Sequence, residues 1–300
     1  MNLKRNFIPG DEWLYFKIYS GVKTLEKILI NEIYPLSNFL LENGIIDKFF
    51  FIRYFDSDNH IRLRFHIAND NEESIAVLIK KLNACILPYI ENRLVWDLSV
   101  NTYKRELERY GIGTMEDIET LFYVNSLDIL SYINYEYEAE VGEDSRLLWC
   151  IKYIDLLLSK FSYSLNQKGD IISYLSKGYE VEFDMNKDMK IILDKKYREK
   201  KMKIEDYLLL DDNKNHNVKN SLEEVTISKI IVKTSGEGEI NNLLSSIIHM
   251  HVNRLFRSKQ RVYEFLILYM MKKLYSSMKI RVDHDNKWRD YFELECLETR

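Results

Sequence analysis

Cysteine, proline and glycine are all scarce in this 300-residue chain, at 3, 3 and 10 residues. Cys85, Cys150 and Cys296 show no short spacing. An odd count leaves one thiol over in any disulfide scheme and the spacing offers no zinc motif, so the expected setting is a reducing cytoplasm. No glycine-rich turn is present to cradle phosphates, and HExxH, CxxC and GxSxG are all missing. Neither a cofactor nor a metal site is therefore expected. No apolar run approaches the roughly 20 residues that span a bilayer, so no transmembrane segment is expected. The opening MNLKRNFIPG has basic residues but not the apolar core of a secretory signal. Surplus basic charge is missing too: the net charge is −4, which argues against direct contact with nucleic acid.

What is present is a core-forming composition, 46% hydrophobic and 13% aromatic. A chain of this length can bury it as a single domain, residues 1–300. Trp13–Ser20 reads as a strand. Val22–Glu42 carries Leu25, Ile28, Leu29, Ile33, Leu36 and Leu40 at helical spacing, with Pro35 expected to kink it and Gly44 to stop it. Phe49–Ile67 reads as two strands joined by the polar turn Asp56, Ser57, Asp58, Asn59. Glu72–Arg93 reads as a second amphipathic helix, and Leu94–Tyr103 as a fourth strand. The fold class is thus α+β, with a ferredoxin-like β-α-β-β-α-β part over about 12–104. A mainly helical remainder follows over 105–300, including Thr114–Tyr135, Ser145–Phe161, Ile240–Phe256 and Arg261–Met278. Glu136–Asp144 and Asp211–Asn220 have loop composition, and the basic run Lys195–Lys203 reads as a solvated helix face in preference to a peptide- or RNA-binding patch.

The strand ending at Ile67 is the most informative segment. Ile61, Leu63, Phe65 and Ile67 point one way; His60, Arg62, Arg64 and His66 point the other. With both helices on one sheet face, the cationic row is expected on a free face, and neither arginine should be needed for the core. Such a row is either solvated or suited to carboxylate ligands, which guanidinium forks grip in pairs. Glu106 and Arg109, in TYKRELERYGIG, share a face if that segment turns helically, as a site or as a surface ion pair. In SSIIHMHVNRLFR, His249 and His251 project about 200° apart on a helix, which is no metal pair. His251 falls with Leu244, Ile247, Ile248 and Leu255, a core position. His249 falls with Ser246, Asn253 and Arg257 on the polar side, where it is either exposed to solvent or available as an acid or base.

Taken in order, WLYFKIY, FFFIRY…HIRLRF, YKRELERYG and IIHMHVNRLF resemble the C-terminal elimination domain of lantibiotic dehydratases, also found free-standing in thiopeptide biosynthesis. The resemblance implies a lyase that expels glutamate from glutamylated Ser or Thr of a precursor peptide, leaving dehydroalanine or dehydrobutyrine. It carries the catalytic set onto Arg62, Arg64, Glu106, Arg109 and His249. Arg62 and Arg64, with His60 and Asn253, are expected to bind substrate. It implies as partners the glutamylated precursor peptide and a separate tRNA-dependent glutamylating protein, and it leaves a homodimer open. Free-standing proteins resembling this domain also include thiopeptide macrocyclases, which build a pyridine ring from two dehydroalanines by a formal [4+2] cycloaddition. A non-catalytic peptide carrier is the third reading. The complete arginine, glutamate and histidine set favours elimination.

Overall fold

The computed structural model describes residues 3–68, 72–139, 144–209 and 224–281, with Trp288 and Tyr291. Two compact units emerge from its contacts: residues 1–140 with 253–258, and residues 141–252 with 259–300. The break lies near residue 140 and not near 104, because the first long helix after the sheet packs on a sheet strand.

The first unit starts with β1 (Asn6–Phe7) and β2 (Trp13–Ser20). The helical pattern that follows is realised in three pieces: α1 (Val22–Ile28), a π turn over Leu29–Ile33, and α2 (Tyr34–Glu42). Pro35 lacks an N–H and crowds the preceding turn, so the helix widens just before it and restarts with Pro35 in its first turn. Gly44, at φ +63°, ends α2 as expected, with its N–H donating to Leu41 O (3.0 Å) and that of Ile45 to Leu40 O (2.9 Å). Next come β3 (Ile46–Phe55), β4 (Asn59–Ile67), α3 (Glu72–Glu91) and β5 (Val95–Asn101). The four longer strands lie in the order β3-β4-β2-β5, each neighbouring pair antiparallel. On one face Ile61, Leu63, Phe65 and Ile67 are at most 1% exposed. Each contributes about 1.5–3 kcal/mol by leaving water.

The other face is not free, and this corrects the sequence-based expectation. Chain expected in one strand to Tyr103 breaks at Thr102, and β6 (Tyr103–Lys104) pairs with β1. Phe7 stacks on Tyr103 (5.7 Å between centroids), and Tyr103 meets Trp13 (5.4 Å) and Phe50 (6.1 Å) edge-on. This aromatic cluster roofs the end of the face that carries Arg64. A single turn, α4 (Leu107–Tyr110), leads into α5 (Met115–Ala139). There Phe122 packs on Phe50 (5.6 Å) and Tyr123 on Phe49 (6.0 Å), which joins α5 to β3. The acidic stretch 136–144 thus continues the helix as far as Ala139; residues 140–143 lie outside the described residues.

Among its described residues the second unit is helical: α6 (Ser145–Lys160), α7 (Leu165–Glu182), α8 (Lys187–Leu209), α9 (Glu224–Lys233), most of α10 (Glu237–Leu255), and α11 (Gln260–Arg281). Its interior holds an ion pair, Lys168 Nζ to Asp155 Oδ1 at 3.1 Å. Ser159, Tyr275 and Tyr291 complete the hydrogen bonding around it. Lys195–Lys203 lies within α8, where Lys195 and Lys203 are exposed while Lys200 reaches Asp144. The expected loop at 211–220, and Cys296, lie outside the described residues. No described helix is long and apolar enough to cross a membrane.

Candidate active site

Strand register builds the arginine face. Arg64 is flanked by Tyr15 on β2 and Phe50 on β3, and Arg62 by Lys17 and Ile52. Arg64 is only 7% exposed, with its guanidinium carbon 4.4 Å from the Tyr15 ring, 4.8 Å from Tyr103 and 5.1 Å from Phe50. Its Nε and Nη1 are buried without a hydrogen-bond partner. Burial pulls its pKa below the usual arginine range, offset in part by Tyr103, Tyr15 and Glu106. A buried cation with open donors is costly unless something pairs with it, and aromatic faces recover only part of that cost. The arrangement is chemically ready for a carboxylate.

Arg62 is half-buried, lies 3.3 Å above the Tyr54 ring, and donates from Nε to His60 Nε2 at 3.3 Å. His60 is fully buried between Tyr19 and Tyr54, and its Nδ1 donates to Asp58 O at 3.1 Å. Burial lowers the His60 pKa, and the Arg62 and Lys17 charges add to that, against Asp58 O and Asp56. His60 therefore acts as a neutral acceptor that orients Arg62. Sequence reading missed Lys17, which faces Arg62 across the strands. Two like charges directly opposite are unfavourable unless an anion lies between them.

Glu106 and Arg109 do share a face, 3.7 Å apart and largely exposed. Glu106 caps the start of the single turn α4 and Arg109 lies within it. The buried member of this segment is Arg105, which sequence reading passed over. It grips Glu119 of α5 through Nε (2.8 Å) and Nη2 (2.7 Å), and Tyr103 Oη donates to the same carboxylate at 2.8 Å. This holds β6, and with it the roof over Arg64, against α5.

In the second unit His249 and His251 separate as the helical projection requires. His251 is fully buried and stacked on Tyr153 at 3.7 Å. His249 is 26% exposed, and its Nδ1 lies 2.8 Å from Oε2 of Glu264, a carboxylate only 4% exposed. Arg261 Nη1 is 3.5 Å from the same oxygen. Glu264 was not legible beforehand, because it sits on α11 amid an apolar pattern. Asn253, expected at substrate, belongs to the first unit and engages both amide ends on the main chain of Arg53. Its Oδ1 accepts at 2.9 Å and its Nδ2 donates at 2.8 Å. It anchors the end of α10 to β3. No cluster of three or more metal-ligating side chains occurs among the described residues.

The chain is thus α+β, with a buried arginine on a sheet face in one unit and a histidine–glutamate pair in the other. The chain belongs to the lantibiotic biosynthesis dehydratase C-terminal family, whose family model matches residues 13–275. It is 24% identical over 288 residues to the subtilin biosynthesis protein SpaB of Bacillus subtilis, covering 94% of this chain and 27% of that protein. The chain thus spans about a quarter of that relative's length. The fold resembles the tRNA-dependent lantibiotic dehydratase MibB from Microbispora sp. 107891, with TM-score 0.69 and 21% identity over 92% of this chain and 29% of that one. It also resembles the pyridine synthase TbtD from thiomuracin biosynthesis, with TM-score 0.60 and 10% identity over 89% of this chain and 98% of that one.

Proposed function

We propose that this protein is a lyase of ribosomal peptide antibiotic biosynthesis that eliminates glutamate from glutamylated Ser or Thr of a precursor peptide. Family membership supports the setting. The observation that carries the finer reading is the buried Arg64 guanidinium, with Nε and Nη1 unpartnered, beside Arg62 on one sheet face. The reaction breaks the Cα–H and Cβ–O bonds of the esterified residue, forms the Cα–Cβ double bond, and releases glutamate. Arg62 and Arg64 hold the glutamyl carboxylate, orient the leaving group and stabilise negative charge as the enolate develops. His249 transfers the proton, as neutral base to Cα–H or as imidazolium to the departing carboxylate. Glu106 orients Arg109. A tRNA-dependent glutamylating partner supplies the substrate. The same reading takes the layer over 13–101 as ferredoxin-like, supported by the strand order β3-β4-β2-β5.

Cycloaddition is the second reading, favoured by the likeness to TbtD over nearly all of that chain. The two part on substrate. Purified protein is offered a glutamylated peptide and, separately, a peptide carrying two dehydroalanines. Turnover of the first alone is expected; turnover of the second alone would replace elimination with pyridine formation.

A further inference from the structure

Glu264 has no role in the reaction as drawn, yet its surroundings are those of a built device. Groups from four helices converge on its carboxylate. His249 of α10 lies 2.8 Å away, and Arg261 lies one turn earlier on α11 itself at 3.5 Å. Tyr179 of α7 is within hydrogen-bonding reach, and Cys150 of α6 feels its charge. Arg261 is in turn held by Glu182 and by the Tyr179 hydroxyl. Burial pushes the Tyr179 hydroxyl far up, and so does the Glu264 charge. Burial, again with the Glu264 charge, does the same to the Cys150 thiol, so neither gives up its proton to compete. Glu264 thus accepts from His249 Nδ1, with the Arg261 guanidinium beside the same oxygen.

We infer that Glu264 is the positioning residue of His249: it holds the imidazole as the Nδ1–H tautomer and leaves Nε2 as the only atom that can exchange a proton with substrate. A carboxylate accepts and cannot donate, so the ring nitrogen facing it must carry the hydrogen. The remaining lone pair then sits on the opposite side of the ring. When Nε2 takes a proton, the buried carboxylate stabilises the resulting imidazolium, as in other histidine–carboxylate pairs. This rests on the elimination reading for the identity of the proton donor, but the tautomer itself does not.

The test is ¹⁵N–¹H correlation spectroscopy on protein labelled with ¹⁵N-histidine, the His249 signals being assigned by their loss in His249→Asn. In the neutral ring of wild-type protein, Nδ1 should resonate as the protonated nitrogen and Nε2 as the bare one. Glu264→Gln should move the ring toward the Nε2–H form, and should lower kcat for glutamate release at least tenfold with KM little changed. A wild-type ring protonated on Nε2 overturns the inference without any variant, as does an unaltered tautomer in folded Glu264→Gln. If wild-type protein shows the Nδ1–H tautomer and releases no glutamate, the pairing stands and the elimination reading falls.

Discussion

Arg64 is a buried charge whose hydrogen-bonding groups are not all met. Two of its nitrogens are buried and unpartnered, and three aromatic rings surround the charge. Replacing a poorly paired buried charge by an apolar side chain of similar volume is often neutral or stabilising by about 1–4 kcal/mol. Arg64→Met should therefore melt no earlier than wild type in calorimetry while losing glutamate release by tenfold or more. Earlier melting together with unimpaired activity would show that Arg64 belongs to the scaffold. His60, fully buried beside Arg62, gives a pH signature. Burial holds its folded-state pKa below the ordinary value. The unfolded chain then binds the proton first, so the stability due to neutral His60 is complete above about pH 6.5 and is lost as pH falls toward the folded value. Thermal melts from pH 7 downward should show a shallower loss in His60→Gln than in wild type. Equal slopes would mean that His60 is free to charge in place.

At the scale of elements, the segment from Tyr103 to Glu119 decides what the arginine face looks like. The Arg105–Glu119 pair ties β6 to α5 and so holds Tyr103 over Arg64. Glu119→Ala would leave Arg105 buried with only Glu116 at 3.8 Å and the Lys4 carbonyl as partners, and should cost up to about 3 kcal/mol. Urea unfolding should register that loss; a midpoint close to wild type would mean that Arg105 finds another partner. None of this could be read beforehand. The alternation from His60 to Ile67 reports which residues share a face, and the buried row Ile61, Leu63, Phe65, Ile67 followed directly from it. It carries no information on what covers the opposite face, and the covering residues, Phe7 and Tyr103, lie far away in sequence. Pro35 was read correctly as a disturbance, but its form, a π turn, depends on how the rest of the helix packs. α7 was overlooked because its apolar residues are sparse, although its capping box at Ser164 and Gln167 was a usable local signal.

At the scale of the whole molecule, the expected residues fall in two units: Arg62, Arg64, Glu106 and Arg109 in the first, His249 in the second. Local pattern was enough to separate His249 from its core neighbour His251, because helical phase alone divides them. It could not find Glu264, whose pairing with His249 exists only once α10 and α11 pack together. The chain belongs to the lantibiotic biosynthesis dehydratase C-terminal family, and glutamate elimination is the step we propose for it. That assignment is tested most directly by the intact mass of a glutamylated precursor peptide before and after incubation with the purified protein, without metal or nucleotide. The account predicts that each glutamylated Ser or Thr loses the mass of a whole glutamic acid, leaving a dehydroamino acid, and that His249→Asn leaves the peptide glutamylated. A peptide that keeps its glutamyl groups in the presence of folded wild-type protein would contradict it.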